Sequence, residues 1–500
     1  MNSFVGSIVV LSGIASSFKV IALSEAVNNE QMTDDLKHFC KINNCQTDPD
    51  INFLFNWKSV LEPCKLNISW VDRDQRAELN GMETSAKRTS VIMENINFVN
   101  SYSRIIIQTY TDGGIRKTVG GDSWRATLRG QTTLSDERTR QMAYVIDRMD
   151  GTYEITFWVH EVGTYHLDLL LQYSMCNGLR DPPIGWFEMG NKQGQNQPES
   201  LMRNNTDWLF KAVSFPKFEV KGCDERMREE GSEPCGISTD SDKLSHTDAK
   251  KLSTCRLIWR HFWHWKDIKG NIQWFPERER YESLSESLTD KYDFLWAYGD
   301  SLCERWWYTP FRQMLCRRAF RSCDHTYTHT YEDRDRGQKI PAGQKFNKTQ
   351  FFSPIKKILY DKRMTNNSVL IINFGLHLIT GLNIKELKDV VDSFASIILE
   401  LRREKGKFGA AKVIWKTTTC AVLENSKHPF YGRFFLTNQR IQLFNSYANW
   451  KLCSIGVDIF DVYSITASYP KGTLDGLHFE SEVFNPTDNA LAKFLAEMKR

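Results

Sequence analysis

The C-terminal part of the chain, from residue 291 onward, repeats one pattern that restricts its fold. Short apolar runs of strand length occur at Phe294–Ala297, Val369–Phe374, Val413–Trp415 and Val457–Val462. Helical patterns separate or follow these runs, at residues 384–401, Asn438–Leu452 and Thr487–Met498. Strands and helices that alternate in this way predict a parallel sheet with helices on both faces.

The clearest helical pattern places apolar residues at alternating spacings of three and four from Ile384 to Leu401. Asn383 precedes the first of them, and Glu386 follows three residues later. This spacing is typical of a capping box, which predicts that the helix begins at residue 384.

The middle of the chain has a different period. In Tyr153–His160 the odd positions are Tyr, Ile, Phe and Val, and the same alternation returns in Tyr165–Leu171 after a break at Gly163. A period of two predicts antiparallel strands with one buried face. Together with Ser103–Tyr110 and Trp124–Leu128, these runs predict a β-sandwich.

These patterns divide the chain of 500 residues into five segments. Trp57 and Trp70 are candidate anchors of the N-terminal segment, and Trp265 belongs to a connector that we expect to bridge the two domains. The predicted segments are a signal peptide at 1–24, a cysteine-containing N-terminal segment at 25–90, the β-sandwich at 91–220, a cysteine- and Trp-rich connector at 221–290 and the α/β domain at 291–500.

Three features together favour export. Phe4–Ser17 is apolar and Ala22-Leu23-Ser24 offers a cleavage site, although Lys19 interrupts the leader and no basic residue precedes it; the alternative is a buried N-terminal helix or strand. The twelve cysteines form no Cys-x-x-Cys pair, and sequons begin at Asn67, Asn204, Asn347 and Asn366. We predict a protein that is secreted or lies in the lumen of the Golgi or endoplasmic reticulum, with no membrane span after signal cleavage.

Composition excludes several classes of function. A hydrophobic content of 41% and a charged content of 25% exclude wholesale disorder. With a net charge of +4 and no long basic run, the sequence predicts that nucleic acid is not a partner. The clusters at 401–405 and 356–357 are predicted to be solvated helix faces. The pairs His261/His264 and His325/His329 lack further ligands, so we predict no metal site.

Residues that could carry chemistry follow the first apolar run. Tyr292–Tyr298 continues directly into Gly299-Asp300-Ser301, and a helix-compatible stretch, Cys303–Leu315, follows. Reactive groups in such sheets gather at the carboxyl ends of the strands. We therefore predict that Ser301 is a nucleophile beside helix-start N–H groups suited to an oxyanion. Gly299 permits the tight turn, and Gly299 and Asp300 are assigned to the binding site.

A base for this serine occurs near the C-terminus. Asp475 and His478 are three residues apart, just before the last helical pattern, so Asp475 could fix the imidazole tautomer while His478 takes the serine proton. Asn373, at the end of the second apolar run, is a candidate oxyanion donor or, alternatively, a cap of the strand end. His377 could line the site or be structural.

A Gly-Asp-Ser triplet alone is weak evidence, because the chain contains two copies. Gly121-Asp122-Ser123 has no apolar run before it and precedes a predicted strand, so we assign it to a turn. Trp306 and Trp307 could form the floor of a sugar-binding groove, but core packing is the favoured interpretation.

Taken together, these motifs resemble the neurexophilin and PC-esterase domain family. The resemblance rests on Gly120–Ala126 and Asp150–Phe157 in the β-domain and on Tyr298–Ser301, Asn373–His377 and Asp475–His478 in the C-terminal half, and it covers roughly residues 90–500. It implies an immunoglobulin-like, filamin-type β-sandwich and an SGNH/GDSL-type three-layer α/β/α domain. A further oxyanion glycine is implied, for which Gly337 and Gly343 are both candidates.

By this resemblance, Ser301 is the nucleophile, His478 the base, Asp475 its partner and Asn373 an oxyanion donor. The implied function is a secretory-pathway serine O-acyltransferase that acts on hydroxyls of a glycan or glycoprotein. Transferase relatives imply acetyl-CoA as the acyl donor, with no cofactor bound, but no Gly-rich phosphate loop supports it. Two alternatives stay open: a carbohydrate esterase with the same triad, and a non-enzymatic protein that binds an extracellular partner through its β-domain.

Overall fold

The computed structural model describes most of the chain from residue 34 onward, and the predicted signal peptide lies outside the described residues. The described ranges are 34–43, 48–70, 81–132, 138–183, 211–222, 250–258, 264–268, 271–275, 291–328, 332–333, 338–339, 346–406, 409–425 and 435–499.

An antiparallel sheet forms the first half of the molecule. Its strands are β1 (Ser90–Asn95), β2 (Tyr102–Gln108), β3 (Ser123–Thr132), β4 (Arg138–Asp147), β5 (Thr152–Trp158), β6 (Gly163–Tyr173), β7 (Lys211–Ser214), β8 (Phe218–Val220), β11 (His264–Ile268) and β12 (Asn271–Phe275). The order is β1-β2-β5-β4-β3-β6-β7, with β8 beside β6 and the β11–β12 hairpin beside β4.

Strand β4 makes this sheet curl. Its first half pairs with β3, and its second half, from Tyr144, pairs with β5. The inward-facing side chains of both halves share one hydrophobic core. The predicted antiparallel domain is therefore confirmed, with its two layers joined into one continuous sheet.

The alternation in the sequence corresponds to this core. Tyr153, Ile155 and Phe157 on β5 are all at most 1% exposed. On β6, the odd-numbered residues from Tyr165 to Leu171 are buried in the same way. The predicted buried face is confirmed for both strands.

A parallel sheet forms the second half. Its strands are β9 (Lys250–Lys251), β10 (Arg256–Leu257), β13 (Tyr292–Gly299), β14 (Phe320–Tyr327), β17 (Val369–Ile372), β18 (Lys412–Lys416) and β19 (Asp458–Phe460), in the order β14-β13-β17-β18-β19-β10-β9. All neighbours are parallel except β9, which is antiparallel to β10. A two-stranded ribbon, β15 (Glu332–Asp333) with β16 (Gln338–Lys339), stands apart.

Helices accompany both halves of the chain. They are α1 (34–43), α2 (Pro49–Phe55), α3 (Trp57–Leu61), α4 (Ser301–Trp307), α5 (Pro310–Ala319), α6 (Lys348–Leu359), α7 (Leu376–Gly381), α8 (Ile384–Lys405), α9 (Asn438–Ser454), α10 (Tyr463–Ala467) and α11 (Asn485–Glu497). Helix α8 begins where predicted, with Asn383 and Glu386 forming the capping box.

The predicted helix Cys303–Leu315 is wrong in one respect, because the structure has two helices there. Thr309 accepts a hydrogen bond from the Arg312 N–H, which caps the second helix. Pro310 occupies the first turn of that helix, where its missing N–H costs nothing. The sequence therefore stops one helix and starts another within three residues.

The two halves pack against each other through aromatic residues. Trp265 on β11 is buried, and its indole N–H donates to the carbonyl of Ile465 in α10 at 3.2 Å. Trp57 of α3 contacts Tyr447 of α9 edge to face. The predicted roles of Trp265 as a bridge and of Trp57 as an anchor are confirmed.

Disulfides reinforce the same connections. Cys64–Cys176 joins the N-terminal segment to the residues that follow β6, and Cys255–Cys453 joins the residue before β10 to α9. A third bond, Cys316–Cys323, connects α5 with β14. Such bonds are typical of oxidising compartments, which supports the predicted export. Within the described ranges, no helix is long and apolar enough to cross a membrane.

Candidate active site

The strand order places Ser301 and Asn373 at the same edge of the parallel sheet. Strands β14 and β17 lie on opposite sides of β13, so the chain connections diverge there. Ligands of open α/β sheets bind at such switch points, beyond the carboxyl ends of the strands. Ser301 follows β13 and Asn373 follows β17, so both lie at this edge.

The structure brings Ser301, His478 and Asp475 together. His478 Nε2 is 3.0 Å from Ser301 Oγ, although the residues are 177 positions apart in the sequence. His478 Nδ1 is 2.7 Å from Asp475 Oδ2. These are hydrogen-bond distances, in the order that a Ser-His-Asp triad requires.

A tight loop holds the histidine and the aspartate. The second carboxylate oxygen of Asp475 accepts hydrogen bonds from the backbone N–H groups of Leu477 and His478 at 3.1 and 2.9 Å. Gly476 between them has a φ of 94°, a conformation that favours glycine. The Gly476 carbonyl in turn accepts a hydrogen bond from the N–H of Val422 at 2.9 Å. The ring of His478 is thus oriented by its own loop.

Electrostatics favours the same arrangement. Burial acts to raise the pKa of Asp475, but hydrogen bonds from the His478 ring and backbone outweigh it and lower this pKa to about 2. The carboxylate is therefore ionised at neutral pH. An ionised acceptor beside Nδ1 selects the tautomer whose Nε2 can take the serine proton.

Gly299 and Asp300 prepare the turn that carries the serine. A side chain at residue 299 would lie 2.7 Å from the Asn373 carbonyl and 2.5 Å from Cys303 Cβ, so the glycine is required by space. Asp300 is buried and caps α4, with its carboxylate accepting from the Leu302 N–H at 3.0 Å. The structure gives Asp300 a helix-capping contact, and its assignment to binding stays a prediction.

The predicted oxyanion donors differ in their contacts. The fully buried amide of Asn373 donates to the Lys416 carbonyl at 2.9 Å and to the Thr418 hydroxyl at 3.3 Å. The Leu302 N–H donates to the Asp300 carboxylate, and Ser301 is the first residue of α4. The oxyanion roles of the helix-start N–H groups and of Asn373 stay predictions. Gly337 and Gly343 lie outside the described residues.

Two buried ionisable residues near the serine, Lys416 and Asp488, were not predicted from the sequence. Lys416 ends β18 and is 0% exposed; burial lowers its pKa, while Cys303 and Asp300 act in the opposite direction. Asp488 of α11 is also buried, accepts from the Trp306 indole at 2.6 Å and has its pKa raised to about 8 by burial. Its position in the sequence could have indicated Lys416, because it directly follows an apolar run whose carboxyl end lies at the sheet edge that carries Ser301.

The raised pKa of Asp488 predicts a pH dependence of stability. Its folded pKa of about 8 lies above the ordinary 3.8, so the folded protein retains a proton that the unfolded chain has lost. This contribution is fully present below pH 3.8 and decreases by roughly 1.4 kcal/mol per pH unit until the folded group ionises. In Asp488→Asn, which keeps the acceptor for Trp306, we expect that decrease to be absent. Urea unfolding of both proteins from pH 5 to pH 9 measures it, and parallel curves would contradict it.

Two reduced thiols near the site are unsuited to nucleophilic chemistry. Burial raises the pKa of Cys303 to about 12 and that of Cys420 to about 11. Thiols with such values stay protonated at neutral pH, and the thiolate is the reactive form. Ser301 is therefore the better candidate nucleophile, even though Cys303 is only two residues away.

The first Gly-Asp-Ser motif has different surroundings. The Asp122 carboxylate is buried and accepts from Lys117 Nζ at 3.0 Å, Ser174 Oγ at 2.8 Å and Thr84 Oγ1 at 2.6 Å. Gly121 has a φ of 103°, and a side chain there would meet Cys176 Sγ at 2.5 Å. The motif is buried and leads directly into β3, which confirms the predicted strand after it; its assignment to a turn stays a prediction.

Ser123 provides the matched control for Ser301. It is 3% exposed, begins β3 and belongs to the same three-residue motif. We expect Ser123→Ala to leave any acyl-ester activity within about twofold of wild type. A large loss of activity in a correctly folded variant would overturn the assignment of this motif to a turn.

Other candidates from the sequence have structural contacts. Trp306 and Trp307 are buried, and the Trp307 ring contacts the Arg312 guanidinium and stacks with the ring of His325, so core packing is confirmed. His377 is buried at the start of α7. His261 and His329 lie outside the described residues. Among the residues described, no group of three or more His, Cys, Asp or Glu is arranged to hold a metal ion.

Comparisons with known proteins give distant structural likenesses. No family model matches the chain, and no curated protein matches it. The chain is similar to Est24, a carbohydrate acetylesterase from Sinorhizobium meliloti (TM-score 0.29, 13% identity, 41% of this chain and 99% of that chain). It is also similar to an aryl esterase of M. smegmatis (TM-score 0.29, 15% identity, 41% and 99%). The family resemblance of the motifs therefore stays a prediction.

Proposed function

We propose that the protein is a serine-dependent O-acyltransferase that acts on hydroxyls of a glycan through an acyl-enzyme intermediate. The observation that carries this proposal is the continuous hydrogen-bonded chain from Ser301 through His478 to Asp475. A serine hydroxyl needs an adjacent base to become a nucleophile, and His478 is within reach. The choice of a glycan as substrate follows the motif resemblance.

The groups present can perform acyl transfer in two balanced halves. Ser301 Oγ attacks the carbonyl carbon of an acyl donor while His478 Nε2 takes its proton, and the same proton then passes to the leaving group. In the second half, a sugar hydroxyl gives its proton to Nε2 and attacks the acyl carbon. Return of that proton to Oγ restores the serine. Asp475 stabilises the imidazolium in both halves, and the donor we propose is acetyl-CoA.

Ester hydrolysis is the second candidate, and the exposure of the site favours it. The His478 side chain is 16% exposed and that of Asp475 is 40% exposed, so water reaches the catalytic base. Water in place of the sugar would release the acyl group as an acid. The two functions differ in how well the occupied site excludes water.

Labelling of the serine tests the proposal directly. We expect a fluorophosphonate to modify Ser301 in the folded protein, as identified by peptide mass mapping. Ser301→Ala and His478→Ala should not be labelled, whereas Ser123→Ala should be labelled like wild type. Absence of label on folded wild-type protein would favour the non-enzymatic alternative.

A competition assay separates transferase from esterase. Wild-type protein that has not been treated with the fluorophosphonate is incubated with radiolabelled acetyl-CoA or an acetyl ester, with and without an oligosaccharide acceptor. We expect acetyl groups to accumulate on the oligosaccharide faster than acetate is released. Release of acetate at the same rate with and without acceptor would identify an esterase.

A further inference from the structure

The loop between β18 and α9 connects the antiparallel sheet with the catalytic histidine. We call residues 417–425 the bridging loop. On one side, the N–H of Val422 donates to the carbonyl of Gly476, which lies between Asp475 and His478. On the other side, Glu424 forms an ion pair with Arg125 of β3. One short segment thus contacts both the triad loop and the other domain.

The Arg125–Glu424 pair is largely withdrawn from water. The two side chains are 13% and 17% exposed. Surface ion pairs contribute little because water and salt screen them, but a pair at this depth is screened much less. Loss of one partner would leave the other charge buried without its counter-charge. The pair therefore constrains where Glu424 can lie.

Further hydrogen bonds fix the backbone next to this ion pair. Asn438, the first residue of α9, accepts from the Ala421 N–H at 2.9 Å and donates to the Ala421 carbonyl at 2.7 Å. Its amide also lies 3.4 Å from Gln172 Oε1 of β6. The bridging loop is thus held at Ala421 by Asn438 of α9, at Val422 by the triad loop and at Glu424 by β3, while Gln172 of β6 contacts Asn438.

We propose that Arg125 and Glu424 are positioning residues of the active site. Their ion pair holds the bridging loop against the Gly476 carbonyl and so keeps His478 within reach of Ser301. The antiparallel domain is then part of the catalytic apparatus. This inference rests on the proposed function, because the position of His478 affects catalysis only if Ser301 forms an acyl-enzyme.

The expected effect follows from the sensitivity of catalysis to geometry. A displacement of about 1 Å at a catalytic group lowers a rate by up to about 100-fold. We expect Glu424→Gln and Arg125→Met to lower the rate of Ser301 labelling and kcat by about 10- to 100-fold, with KM nearly unchanged. A residue that merely stabilises the fold would not separate kcat from KM in this way.

The chain offers a matched control pair. Lys266 of β11 and Glu161 form an ion pair at 2.7 Å with side chains 7% and 21% exposed, within the antiparallel domain. We expect Lys266→Met to leave the labelling rate unchanged. The charge-swapped double variant Arg125→Glu/Glu424→Arg should recover part of the rate that each single substitution loses.

Amide hydrogen exchange tests the coupling without requiring activity. In Glu424→Gln we expect faster exchange in peptides that cover 417–425 and 473–478, with unchanged exchange in β5 and β6. Unchanged exchange at 473–478, or a uniform rise across the antiparallel domain, would overturn the inference. A wild-type protein that is not labelled would instead contradict the proposed function, and the exchange experiment would still decide the coupling.

Discussion

Replacement of His478 with alanine is expected to lower acyl-ester activity by about 10⁴- to 10⁶-fold, because the members of a catalytic triad act as a unit. His478 Nε2 is the group within reach of the Ser301 hydroxyl, and without it the serine keeps its proton at neutral pH. Ser301→Ala should cause a loss of the same size. The double variant should be no worse than either single one.

This non-additivity distinguishes catalysis from structure. His478 and Ser301 are both partly exposed, so neither truncation removes core packing, and we expect thermal unfolding to shift by no more than a few degrees. Steady-state kinetics of the two single variants and the double variant measure the coupling. Losses that multiply in the double variant, or substantial residual activity in His478→Ala, would remove His478 from the role of base.

The elements predicted best are those whose signal is local. The capping box at Asn383 and Glu386 specifies where α8 begins, because both hydrogen bonds form within four residues. The alternation at 153–159 specifies the buried face of β5, because a strand exposes successive side chains to opposite sides. Such features follow from the residues alone.

Elements that depend on distant partners were missed. Strand β14 contains Arg321, Ser322 and Asp324, which do not resemble a buried strand, and it forms because the edge of β13 offers a parallel partner. Strand β10 lies in the predicted connector, and it pairs with β19 through one residue pair, Leu257 with Ile459. Tertiary pairing overrides weak local preference in both cases.

In the candidate site, too, the features with a local signal were predicted and those that depend on distant residues were not. Ser301, Asp475 and His478 were identified from their position next to strands and helices, and the structure brings their side chains within hydrogen-bond distance. The bonds from Asn373 to Lys416 and Thr418 could not be predicted, since they depend on the loop after β18. The burial of Lys416 was missed because a lysine is ordinarily exposed.

Truncation of Asp122 is expected to have the largest effect on stability. Its carboxylate is 0% exposed and pairs with Lys117, whose side chain is 6% exposed. In Asp122→Ala the ammonium stays buried without a counter-charge, and the free energy of unfolding should fall by about 3–5 kcal/mol. Denaturant unfolding of the two proteins measures the difference, and Ser123→Ala in the same motif serves as the control.

A double variant identifies the cause of that loss. Lys117→Met/Asp122→Leu removes both charges, so it should unfold at a higher denaturant concentration than Asp122→Ala, despite two substitutions. The hydroxyls of Thr84 and Ser174 lose their acceptor in either case, so recovery should be partial. If the double variant is less stable than Asp122→Ala, the buried charge is not the cause. A positive result would show that the buried ion pair of Asp122 with Lys117 stabilises the first Gly-Asp-Ser motif, whereas Ser301 of the second motif lies beside His478.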